Sequence, residues 1–174
     1  MKLSKLTISL GIYIIVSAIF MNQVWGLFER SIGAQNVRAL AISALFIAAM
    51  LLFWRVIRSS TDILKMLLNL AIIGSLLIFS LRQPYLVEKL HVVEYGLLGW
   101  LAGRDLNKNK VLLKNVFFAF FFAALISLLD EGLQRLLPWR VGDLRDVFTN
   151  FISSALGLVF FALSYRRYNI AKAR

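Results

Sequence analysis

The chain has no cysteine, a single histidine and only nine acidic residues against twenty lysines and arginines. Without thiols there can be no disulfide, no thiolate nucleophile and no cysteine-bound metal. The lone histidine, His91, leaves few ligands for zinc, so any divalent cation here would rest chiefly on carboxylates, as Mg²⁺ or Ca²⁺ does. The sequence demands no such cation and identifies no cofactor. No phosphate-binding glycine loop and no nucleophile elbow is present, so covalent catalysis has no signature. What fills the chain is apolar. Sixty percent of its 174 residues are hydrophobic and the mean hydropathy is +0.76, more than the interior of a soluble domain of this length could hide. The expected fold is therefore an all-α polytopic bundle in a membrane, with residues 1–174 forming one membrane domain.

Six apolar runs, near 6–28, 38–57, 63–81, 86–103, 112–134 and 146–165, each approach the ~20 residues that cross ~30 Å of hydrocarbon as helix. His91 and Glu94 interrupt the fourth, which leaves a short or re-entrant helix open there. The first run follows Lys2 and Lys5, but it is long and lacks a small-residue cleavage site, so it reads as a retained helix.

Alternating the sides of the runs sorts the charges. Thirteen basic residues and two acids fall on the side of the N-terminus, and seven basic residues and seven acids on the other. The positive-inside rule then places both termini in the cytoplasm and the chain in the cell (cytoplasmic) membrane. The whole net charge of +11 belongs to the inner face, where anionic lipid accounts for it, and no nucleic-acid partner is expected. A cysteine at Gly142 in this cysteine-free chain would report that topology.

Three helix ends on the outer side concentrate the polar residues. In "EKLHVVEYGLLGWLAG", Glu88, His91 and Tyr95 share about 60° of helical arc, with Glu94 on the flank and a stripe of Gly96, Gly99 and Gly103 beside them. In "ISLLDEGLQRLLP", Ser127, Asp130, Glu131 and Gln134 share about 100° before Pro138 ends the helix. In "RVGDLRDVFTNFISSALG", Asp143, Asp146, Asn150, Ser153 and Gly157 share about 80°. The glycines and small residues suit close helix packing. Ionisable groups at bilayer depth cost about 2.5–3.5 kcal/mol each on insertion scales, so they are found against partners and commonly mark function.

Each signal supports two readings. His91 and Glu94, at i and i+3, could shuttle protons or ligate a metal, or form an ordinary interfacial hydrogen bond. Asp130 and Glu131, oriented by Gln134, could serve as general acid and base, whereas Glu131 and Arg135 also have the i, i+4 order of a helix salt bridge. Asp143 reads as a helix cap, while Asp146 and Asn150, one turn apart, point into the bundle as binding residues. Arg140 could hold an anionic head group or pair with one of the acids, with Trp139 as interfacial anchor. The "FFAFFF" run at 117–122 carries no chemistry.

These residues carry a resemblance. "VEKLHVVEYGLLGWL" followed by "DEGLQRLLPWRVGDLRDVFTNFISSALG" resembles the VanZ-like family, matching at Glu88, Lys89, His91, Tyr95, Leu98, Gly99, Asp130, Glu131, Gln134, Pro138, Arg140, Asp146, Asn150 and Gly157. The motif region covers about 80–165. Val92 stands where the family usually has an aromatic residue, and Ser153 where it usually has glycine. The resemblance implies an envelope membrane protein, some of whose relatives are linked with low-level resistance to the glycopeptide teicoplanin. The expected site is thus an outward-facing pocket with Glu131, His91, Glu94 and Asp130 as catalytic candidates and Tyr95, Gln134, Arg140, Asp146 and Asn150 lining it. Its partners would be membrane lipids and a lipid-linked envelope or peptidoglycan precursor or a glycopeptide. A non-catalytic scaffold and a small transporter or lipid-translocation element remain the alternatives.

Overall fold

A computed structural model describes residues 3–60, 62–106, 112–140 and 142–171. Of the basic residues in the charge count, Lys2, Lys108, Lys110, Lys172 and Arg174 lie outside the described residues. The described chain forms six helices: α1 (Lys5–Ile32), α2 (Ala34–Ser59), α3 (Ile63–Arg82), α4 (Leu86–Leu106), α5 (Leu112–Leu136) and α6 (Leu144–Ala171). Most of them overrun the apolar runs by up to a turn, because a helix continues past the hydrocarbon until something caps it. Gly33 makes the α1–α2 reversal alone. Its φ of 86° lies in the region that side chains disfavour, and its N–H donates to Glu29 O at 2.9 Å. Asp62 caps α3 by accepting from the backbone N–H of Lys65. The hydrogen-bonded ammonium of Lys65, 2.9 Å away, holds that carboxyl below its usual range.

Among the described residues five helices, α1, α2, α3, α5 and α6, are long and apolar enough to cross a membrane. The lipid-facing surface is plain on α2, where Leu40, Ile47, Met50 and Leu51 are all well exposed. The sixth, α4, is too polar to qualify on composition, yet it is the helix with the most protein around it. It packs against α1, α3, α5 and α6, and Val92, Tyr95, Leu98 and Ala102 are fully buried. A helix wrapped by its neighbours need not satisfy lipid, so hydropathy underrates it. It is continuous over 21 residues, about 30 Å of rise, and not re-entrant.

The closest packing is between α4 and α6, which run parallel. A Cβ on Gly99 would collide with the carbonyl oxygen of Ser154, and one on Gly157 with that of Gly96. These two backbones touch directly, as the glycine stripe and the small residues of α6 suggest. Ser153, where glycine is usual, is accommodated by donating its hydroxyl to Thr149 O at 2.8 Å.

Candidate functional site

Asp143 stands just before helix α6 and its carboxylate accepts from Arg145 N at 2.9 Å, the cap expected from its position. In the usual capping box the acid three residues on would accept the cap residue's own N–H. Here Glu131 of α5 does so instead, its Oε2 3.2 Å from Asp143 N. That substitution ties the end of α5 to the start of α6 and leaves Asp146 to face inward. Arg135, the expected i, i+4 partner of Glu131, turns away and donates to Gly142 O at 3.4 Å. The salt-bridge reading of Glu131 is therefore not what the chain adopts.

The second half of the site hangs on Asp130, which is fully buried. One oxygen accepts from Tyr95 Oη of α4 at 3.0 Å and the other from Gln134 Nε2 at 3.1 Å. Gln134 in turn accepts from Arg140 Nη2 at 2.7 Å. His91 sits one turn above Tyr95, ring against ring with centroids 6.1 Å apart, and its Nδ1 lies 3.0 Å from Glu94 Oε2. Deeper, Asn150 donates to Ser127 Oγ at 3.1 Å. Arg145 bridges the mouth, 3.0 Å from Glu88 and 3.6 Å from Asp146. The structure thus brings all nine expected site residues to one end of the bundle. His91 lies in the electrostatic field of Glu94, Asp130 and Glu131, and Glu131 in that of Asp130 and Asp146.

Several of these groups are buried with one atom left over. Among the described residues His91 Nε2, Glu131 Oε1, Glu88 Oε2 and Asn150 Oδ1 have no hydrogen-bond partner, and Asp146 Oδ1 has only the Arg145 guanidinium at ion-pair distance. Buried polar atoms without partners are rare because each costs about 1–3 kcal/mol. Here several lie at one end of the bundle, on α4, α5 and α6. Among the described residues no three His, Asp or Glu side chains are spaced to hold a metal ion, so no residue is assigned to a cation.

Sequence reasoning missed the fourth wall. Helix α1 supplies Asn22, whose Oδ1 accepts from Arg140 Nη1 at 2.7 Å, and Ile19 O, which accepts from Trp139 Nε1 at 3.4 Å. Nothing in the apolar run of α1 singles out one asparagine. Lys89, singled out in the sequence by the resemblance alone, donates its ammonium to Leu81 O at 2.7 Å and to Gln83 O, closing the C-terminus of α3. At the opposite end a separate cluster joins Ser4, Thr7, Arg104 and Asp105. Between the two polar ends lie apolar layers, Ile14 with Leu98, Ala123 and Ile126, then Ala102 with Ala119 and Leu158.

A model of the family described as VanZ/LLP1 matches residues 10–165, nine-tenths of the chain. The chain belongs to the VanZ-like family. The match extends upstream of the 80–165 motif region through α1, α2 and α3, consistent with α1 forming a wall of the site. No curated protein and no solved structure matches the chain. It is a multi-pass membrane protein of the VanZ-like family whose helices contact membrane lipid.

Proposed function

We propose that this VanZ-like protein sits in the cytoplasmic membrane with both termini inside. Its site end then opens to the outer leaflet, where it binds or modifies a lipid-linked envelope or peptidoglycan precursor or a glycopeptide. The observation that carries the reading is the pair of buried, unpartnered atoms His91 Nε2 and Glu131 Oε1 on facing helices. One is oriented by Glu94 and the other by the cap of α6, so each presents its second atom to whatever enters. His91 and Glu131 would move a proton on the bound molecule, with Glu94 holding the imidazole. Tyr95 and Gln134 fix Asp130 beside them, and Asp146 and Asn150 line the α6 side.

The test is teicoplanin susceptibility of a sensitive Gram-positive host expressing the wild type, Glu131→Gln or His91→Gln at matched membrane abundance. Glu131→Gln keeps an acceptor for Asp143 N, so the helix junction survives while the ionisable group is lost. Protection by the wild type and its loss in both variants is the expected result. Equal protection by all three would make the cluster a scaffold.

The two apolar layers argue against a transporter, which needs a polar route to the opposite end. Orientation has its own test. Gly142 is a poor reporter, since a Cβ there would lie 2.6 Å from Glu131 O. Tyr85, in the α3–α4 turn and 68% exposed, replaces it. Tyr85→Cys is expected to react with an impermeant maleimide from outside intact cells, and labelling only after the cytoplasm is opened would invert the orientation.

A further inference from the structure

The mouth of the site carries three arginines, and the neighbouring acids neutralise only one of them. Arg145 is paired with Glu88, Asp143 and Asp146. Arg135 gives its Nε to the backbone of Gly142. Arg140 is held differently, by two neutral amide oxygens, Asn22 Oδ1 on Nη1 and Gln134 Oε1 on Nη2, both at 2.7 Å. Neutral acceptors aim a guanidinium without cancelling its charge.

The aim is fixed from behind. Gln134 is only 4% exposed and its Nε2 is committed to Asp130, so its carbonyl oxygen must face Arg140. Two of the five guanidinium N–H groups are used, and the others have no partner among the described residues. Beside it Trp139, half exposed and bonded to Ile19 O, is the kind of ring that settles at headgroup depth. A partly buried, pre-aimed guanidinium at that depth, paired with no acid among the described residues, suits a phosphate, which takes paired N–H donors from a planar fork.

We propose that Arg140, aimed by Gln134 and Asn22, is a phosphate subsite for a headgroup lying in the membrane interface, and that Asn22 of α1 is its positioning residue. The proposal rests on the reading of this end of the bundle as a binding site, and it narrows the ligand to a phosphate-bearing one. It also gives the asparagine in the apolar run of α1 a role.

The experiment uses the full chain in phosphatidylcholine nanodiscs and follows quenching of its tryptophans by brominated phosphatidic acid, with brominated phosphatidylcholine as reference. The wild type is expected to prefer phosphatidic acid at least about tenfold. Arg140→Gln should remove the preference. Asn22→Asp should remove it too, by placing a carboxylate on Arg140, while the melting temperature holds or rises because the α1 contact becomes an ion pair. A merely structural Asn22 would let Asn22→Asp bind like the wild type. That result, or equal quenching by the two lipids, overturns the subsite. Displacement of the probe by millimolar inorganic phosphate would assign the subsite to a soluble phosphate, and resistance to displacement to the lipid. The probe reads binding at Arg140 alone, with no proton transfer by His91 or Glu131. Failure of the acid/base reading would therefore leave phosphate binding intact, and failure of the subsite would leave the susceptibility result standing.

Discussion

Gly157→Ala is expected to unfold the bundle or leave it unable to survive detergent extraction. The added methyl would be driven into the carbonyl of Gly96 and would lie 3.1 Å from Trp100 N. Overpacking in a core costs about 1–3 kcal/mol when side chains can move aside. Here the obstacle is helix backbone, so the loss should reach about 3 kcal/mol or more. Gly99→Ala, aimed at Ser154 O, should behave alike. Gly74→Ala is the control, because nothing lies within 4 Å of its Cβ and alanine favours helix by about 1 kcal/mol. Thermal unfolding followed by size-exclusion chromatography reads the effect. A Gly157→Ala protein melting within about 2 °C of the wild type would show that α4 and α6 do not touch through their backbones.

Asp105→Ala is expected to cost about 2–4 kcal/mol, although it lies at the end of the bundle away from the site. The carboxylate is 3% exposed and accepts from Ser4 N at 2.8 Å, from Thr7 Oγ1, and from Arg104 Nη2 at 2.9 Å. Its removal strands those donors and frees the start of α1 from the end of α4. Since Thr7→Val removes part of the same network, the double variant should lose less than the two single losses added. Unfolding of all three variants in one detergent tests this. Strict additivity, or a change under about 0.5 kcal/mol for Asp105→Ala, would mean the cluster does not hold α1 in place. Because α1 also carries Asn22, a real loss there should weaken phosphate recognition at the far end.

Local features of the site were legible because their spacing lies within one helix. His91 and Glu94 meet as an i, i+3 pair, Asp143 caps α6, and Gly96, Gly99, Ser153 and Gly157 lie on one seam. Alternatives stayed open where one residue had partners both near and far in sequence. Glu131 had Arg135 one turn away, but the cap N–H of α6 took its oxygen. Arg140 had four carboxylates within the same short segment, yet it bonds amides on α5 and α1. Asp105 follows the fourth apolar run with nothing in the local spacing to give it a partner, and it is buried against the first turn of α1.

Composition and periodicity by themselves determined that this is a helical membrane protein, how many helices it has, and which faces of α4, α5 and α6 are polar. Those properties follow from the cost of placing backbone and charge in hydrocarbon, which every residue meets regardless of its neighbours. Only the tertiary structure decided that the most polar helix is the central one, that α1 closes the site, and which atoms of His91 and Glu131 remain without partners. Those outcomes depend on which donors and acceptors reach one another first across helices, and hydrogen bonds of about 3 Å discriminate among candidates that helical spacing leaves equivalent.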